Sequence, residues 1–156
     1  MTERFLTRQA VFAICRNARG EILLERREGT GYLDGFWDFP SGHVEYDEGV
    51  REAMVRELRE ETGLVAKVED MKMVHIDNFC FDENYVNYTF RVMKFAGAPK
   101  VMEANKCGEM KWFAPDALPA KLTNVVRQNQ LVGFSDDLTY SITDGSNYQK
   151  LVEEAK

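Results

Sequence analysis

The amino-acid sequence predicts an α+β domain, a mixed β-sheet flanked by helices. Three observations carry this. Candidate strands outnumber candidate helices, the strongest helical pattern stands mid-chain at residues 48–62, and no linker, repeat or low-complexity run interrupts the 156 residues. A chain of this length buries a core of its own, so residues 1–156 are expected to form one domain.

The elements follow in order. Residues 9–16 (QAVFAICR) are mostly apolar, as in a strand covered on both faces. Residues 17–20 are a turn signal, and residues 21–26 (EILLER) read as the partner strand of a hairpin. A glycine-bearing loop (REGTGYLDG) leads to a short strand, FWDFP. After the central helix, residues 65–79 and 85–95 are two further strands, the second placing Val86, Tyr88, Phe90 and Val92 on one face. Residues 109–113 (EMKWF) make another, with Trp112 and Phe113 read as core. Residues 115–118 suggest a short turn of helix and residues 124–132 a last helix; beyond Gly133 no pattern is clear.

Charge and composition exclude several classes of function. Twenty basic against 26 acidic residues leave a net charge of −6, which argues against a nucleic-acid polymer as partner, since phosphate backbones call for clustered Lys and Arg. A small anion held through a metal ion stays compatible. Cys15, Cys80 and Cys107 are odd in number and lack CxxC spacing, which suggests buried thiols rather than a disulfide or zinc site. Residues 1–7 are too short and too charged for a signal peptide, and no run approaches the roughly 18–20 apolar residues of a membrane span. The expectation is a cytoplasmic protein.

The central helix holds the chemistry. Asp47 reads as its N-cap and Gly63 as the left-handed residue just past its end. At about 100° per residue, Glu60 falls about 60° to one side of Glu57 and Glu61 about 40° to the other. Met54, Leu58 and Val55 fall in the adjoining arc and face the core. Glutamates on a helix ordinarily mark a solvated face, with pairs such as Glu52 and Arg56. Here the three carboxylates border the buried face, and the loop FPSGHVEYDE runs directly into them. Clustered oxygens beside an exposed backbone carbonyl suit a hard divalent cation, Mg²⁺ above all.

Gly42, five residues, Glu48, seven residues, then Arg56, Glu57, Leu58, Glu60, Glu61, Gly63 and Leu64 reproduce, over residues 42–64, the signature of the Nudix hydrolases. From average residue frequencies, nine specified positions match by chance on the order of once in 10¹⁰ starting points. The context EILLERR, GTGYLDGFWDFPSGHVE and NKCGEMKWFAPDALP resembles the MutT-like branch of small bacterial members, over residues 9–130. Ser41 departs from it, standing where many relatives have a second Gly; this is tolerable provided Gly42 keeps an unusual backbone.

The resemblance implies an α/β/α sandwich with a loop–helix–loop metal site, and hydrolysis of a diphosphate with Mg²⁺, for which Mn²⁺ can substitute. By position it makes Glu57, Glu60, Glu61 and the Gly42 carbonyl the ligands, with Arg56 holding the carboxylates and Glu48 orienting loop and helix. The general base stays open among Glu60, Glu61, Glu103 and Glu109. Arg27 stands where relatives bind phosphate. Asn124 stands near where some relatives read a purine, and is also a natural helix N-cap. His43 and Glu45 flank the metal loop, and His75 reads as a core or hydrogen-bonding histidine.

The implied activity is that of a nucleoside triphosphate pyrophosphohydrolase giving monophosphate and pyrophosphate, with an oxidised purine such as 8-oxo-dGTP as the archetypal substrate. Alternatives are a nucleotide-sugar or ADP-ribose pyrophosphatase and, in a different class, a non-catalytic nucleotide-sensing domain. The partner expected is a small nucleotide, bound by a monomer or homodimer.

Overall fold

The computed structural model describes residues 4–154. Among them are eight strands, which form two sheets, and three α-helices. The larger is mixed, in the order β4 (Ser41–His43), β1 (Thr7–Ile14), β6 (Glu83–Val92), β5 (Met71–Phe81), β8 (Thr139–Asp144). The smaller is antiparallel, with β2 (Ile22–Arg27) between β3 (Trp37–Asp38) and β7 (Cys107–Phe113). Helix α1 is Val50–Thr62, α2 is Asn124–Leu131 and α3 is Gly145–Glu154. No helix among the described residues is long and apolar enough to cross a membrane.

Strand β1 shows why the chain layers as it does. Successive side chains of a strand point to opposite faces. Val11, Ala13 and the following Cys15 pack with Ala53, Met54 and Leu58 of α1. Ala10, Phe12 and Ile14 pack with Val125 and Val126 of α2. Both faces are apolar because both are covered, and the result is an α/β/α arrangement.

Five expectations change. Residues 9–16 and 21–26 do not remain a hairpin. They share the Arg16–Ile22 bridge and a bond from Leu23 N–H to Cys15 O (3.1 Å), then part, β1 into the mixed sheet and β2 into the smaller one. The central helix begins at Val50 with Gly49 as N-cap; Asp47 cannot serve, being in the left-handed region at φ 58°. Gly63 does end it, at φ 73°. Residues 115–118 form only a turn, and residues 68–70 form a 3₁₀ turn that delays β5 to Met71. Cys15 and Cys107 are buried free thiols, but Cys80 is exposed.

The segment beyond Gly133 holds β8 and α3. Strand β8 inverts the usual pattern: Tyr140 and Ile142 are exposed, while Thr139, Ser141 and Thr143 face polar partners on and beside β5. His75, fully buried, has Nδ1 2.6 Å from Thr139 Oγ1 and Nε2 2.8 Å from Ser141 Oγ, as a hydrogen-bonding core histidine should.

Candidate active site

The site is built where β4 runs into α1. Gly42 is needed for space: a Cβ there would overlap the Glu57 carboxyl group. Its φ is not positive, so the expected unusual backbone is replaced by a close approach that any side chain would block. Beside it, the Ser41 N–H donates to Glu61 Oε2 at 2.7 Å. Only the backbone N–H is required there, which is why serine serves at this position.

Arg56 ties the acidic groups together. Its Nε and Nη2 reach the two oxygens of Glu48 at 2.8 and 2.9 Å, Nη1 reaches Glu57 Oε1 at 2.7 Å and Glu60 Oε2 at 3.2 Å, and Nη2 also donates to His43 O at 2.9 Å. Glu48 in turn accepts from the Glu45 N–H at 3.0 Å. The guanidinium holds the Glu48 carboxyl below its ordinary value. Glu48 therefore joins loop to helix, as its position in the signature implies.

Two acidic groups that sequence reasoning missed complete the cluster. Glu25 of β2 lies directly opposite Asp38 of β3, and both are buried. Like charges so placed repel. Glu25 Oε2 has no hydrogen-bond partner. Burial first, then the nearby Glu61 and Asp38, raises the Glu25 carboxyl well above its ordinary value. Glu61 is pushed up by burial and by Glu57, against the pull of the Ser41 N–H, and Glu57 is raised by burial against the pull of Arg56. The signal in the sequence was available. Glu25 sits two residues after Leu23, which packs against α1, so its side chain points the same way.

Of the loop glutamates, Glu103 belongs to this cluster: it adds repulsion at Glu25, Glu57 and Glu61, and Lys106 Nζ lies 3.2 Å from its Oε1. Glu109 is exposed on β7, opposite Arg26. Among the described residues no group of three His, Cys, Asp or Glu side chains stands ready-made to hold a metal ion. The donor set nevertheless fits one. Several part-buried carboxylates repel one another here, with the partnerless Glu25 Oε2 among them, and a divalent cation held by Glu57, Glu60 and Glu61 would offset that repulsion.

Beside this cluster opens a cavity of about 580 Å³, reaching from Ser41, Gly42 and His43 to Asn124 and Tyr148. Its wall is aromatic. Tyr148 of α3 lies parallel to Tyr32, with centroids 6.3 Å apart, and meets Phe79 edge-on at 5.7 Å. Arg27 also lines the cavity, but its donors are engaged: Nε with Tyr32 O (2.9 Å), Nη2 with Thr30 Oγ1 (3.2 Å) and Nη1 with Asp38 Oδ2 (3.5 Å). Asn124 is not the N-cap of α2. Thr123 takes that position, and Asn124 is the first helical residue, its amide turned to Thr143 Oγ1 at 2.6 Å.

A family model described as NUDIX domain matches residues 6–132. The chain belongs to the Nudix family of hydrolases. It is 46% identical over 56 residues to the CTP pyrophosphohydrolase of Escherichia coli K12, an alignment covering 36% of this chain and 42% of that protein. It is 38% identical over 56 residues to the 8-oxo-dGTP diphosphatase of the same organism, covering 36% and 43%. The chain thus spans less than half the length of these two curated relatives. Across nearly the whole fold it resembles the crystal structure of a MutT Nudix hydrolase from Burkholderia pseudomallei, with TM-score 0.74, 28% identity, and 81% and 97% of the two chains covered.

Proposed function

We propose that this Nudix protein hydrolyses purine nucleoside triphosphates, oxidised purines such as 8-oxo-dGTP among them, to the monophosphate and pyrophosphate, in the cytoplasm and with Mg²⁺. The observation that carries this is the aromatic cavity opening directly beside Gly42 and the glutamates of α1, which allows one small nucleotide to lie across both. Glu57, Glu60, Glu61 and the Gly42 carbonyl would hold the cation. When bound, it neutralises phosphate charge and acidifies the attacking water. Arg56 keeps the carboxylates aligned, Glu48 fixes the loop against the helix, and the cavity walls exclude water from the base. Glu103, beside the cluster and paired with Lys106, is the better placed of the two loop glutamates to take a proton from the nucleophile.

A sensing role without catalysis is disfavoured by the retention of every signature carboxylate. The test is turnover of dGTP, 8-oxo-dGTP, dCTP, a nucleotide sugar and ADP-ribose, with Mg²⁺ and separate detection of phosphate and pyrophosphate. Purine triphosphates giving monophosphate and pyrophosphate support the reading. Best turnover on ADP-ribose, or on no nucleotide, overturns it.

A further inference from the structure

Asn124 reaches the cavity at the end of a buried hydrogen-bond chain. Asp77 of β5, fully buried, receives Ser141 Oγ at 2.6 Å and Thr143 Oγ1 at 2.9 Å on one oxygen, and Asn87 Nδ2 at 3.5 Å on the other. A hydroxyl has one proton to give. Thr143 gives its proton to Asp77, so towards Asn124 it can only accept. The Asn124 amide must therefore present Nδ2 to Thr143, at the observed 2.6 Å, which fixes which way round the amide sits and so the place of its carbonyl oxygen and of its second N–H at the cavity. Thr143 and Ser141 lie in β8, beyond the residues matched by the family model.

We propose that Thr143 and Asp77 are positioning residues of the nucleotide cavity, locking the Asn124 amide in one orientation so that its carbonyl oxygen stands at a fixed point and the site selects bases presenting an N–H there. This rests on the reading of the cavity as the base site. Without the lock the amide can turn over and exchange the places of its oxygen and nitrogen, so discrimination is lost while binding of the phosphates is kept.

The experiment measures kcat/KM for dGTP and dCTP in the wild type, Asn124→Ala, Thr143→Val and Thr143→Ser. Thr143→Val should lower the dGTP preference about fivefold or more with dCTP turnover little changed, while Thr143→Ser, which keeps the hydroxyl, retains the preference. A purely structural Thr143 would lower both substrates together or only the melting temperature, and that result overturns the proposal. If Asn124→Ala leaves the preference unchanged, the base-site reading itself fails. If Asn124→Ala abolishes the preference and Thr143→Val does not, only the positioning role falls. Should Thr143→Val not fold, NMR of the wild type with dGMP decides. The Asn124 Nδ2 proton bonded to Thr143 should stay protected from exchange with dGMP bound while the Asn124 carbonyl carbon shifts; a labile proton there would refute the lock.

Discussion

Arg56 grips Glu48 with two parallel hydrogen bonds, Nε to Oε1 at 2.8 Å and Nη2 to Oε2 at 2.9 Å, while its Nη1 reaches Glu57. A lysine has one point of charge and cannot reproduce this fork. Arg56→Lys should reduce kcat/KM by about 10–100-fold and stability by about 1–3 kcal/mol, as loss of charged hydrogen bonds implies. Steady-state kinetics together with urea unfolding checks both. Wild-type kinetics would remove Arg56 from the machinery.

Glu60→Gln and Glu61→Gln keep size and remove charge. Each should cut turnover by at least about 10²-fold, since a charged ligand or base contributes several kcal/mol to the transition state. Folding should survive, because Glu61 is a member of a mutually repelling group and glutamine can still accept from the Ser41 N–H. Near wild-type rates in both variants would show that α1 is not the catalytic element.

Gly42→Ala is a steric probe of the same place. The added methyl displaces the Glu57 carboxyl group, so Mn²⁺ binding measured by calorimetry should weaken by about tenfold or more while the melting temperature moves little. Unchanged affinity would mean that Glu57 is not required at that position.

Stability without metal should depend on pH in a definite direction. Glu61 is raised from 4.5 to about 8 in the folded chain by burial. Between those values the unfolded chain has lost this proton and the native chain has kept it, so the native state binds more protons and its stability falls as pH rises through the window. Mg²⁺ requires the deprotonated group, so its binding should strengthen over the same range and flatten the trend. Thermal melts from pH 5 to 8, with chelator and with Mg²⁺, test this; a metal-free stability that rises across the window contradicts it.

Tyr148→Ala removes one wall of the cavity. Base stacking on an aromatic ring is worth about 1–3 kcal/mol, so KM for nucleoside triphosphates should rise about tenfold with kcat nearly preserved. An unchanged KM would exclude Tyr148 from the base site.

The acidic face of α1 was legible because helix geometry alone fixes the angles among Glu57, Glu60 and Glu61, and Met54 and Leu58 are buried beside them as expected. The start of the helix was not, since Asp47 resembles a cap in type but not in backbone conformation. The spacing of Glu25 from Leu23 showed which way its side chain points, but its pairing with Asp38 escaped notice because cross-strand register, which brings the two face to face, is not written in local sequence. Strand β8 was hidden by its own inversion: a strand with hydroxyls inward and Tyr140 and Ile142 outward carries no apolar alternation pointing to a core.

The pairing of β1 with β6, in which Thr7 lies beside Asn84 and Ile14 beside Arg91, has a consequence for how the molecule assembles in time. A parallel neighbour so distant along the chain requires a long loop to close before any contact rewards it. Helix α1 can form locally, yet the floor against which Met54 and Leu58 dock includes Val11 and Phe90, one from each of these strands. Refolding should therefore be slow for a chain of this size, in the range of milliseconds to seconds, with catalytic competence regained only after helical circular dichroism has largely recovered.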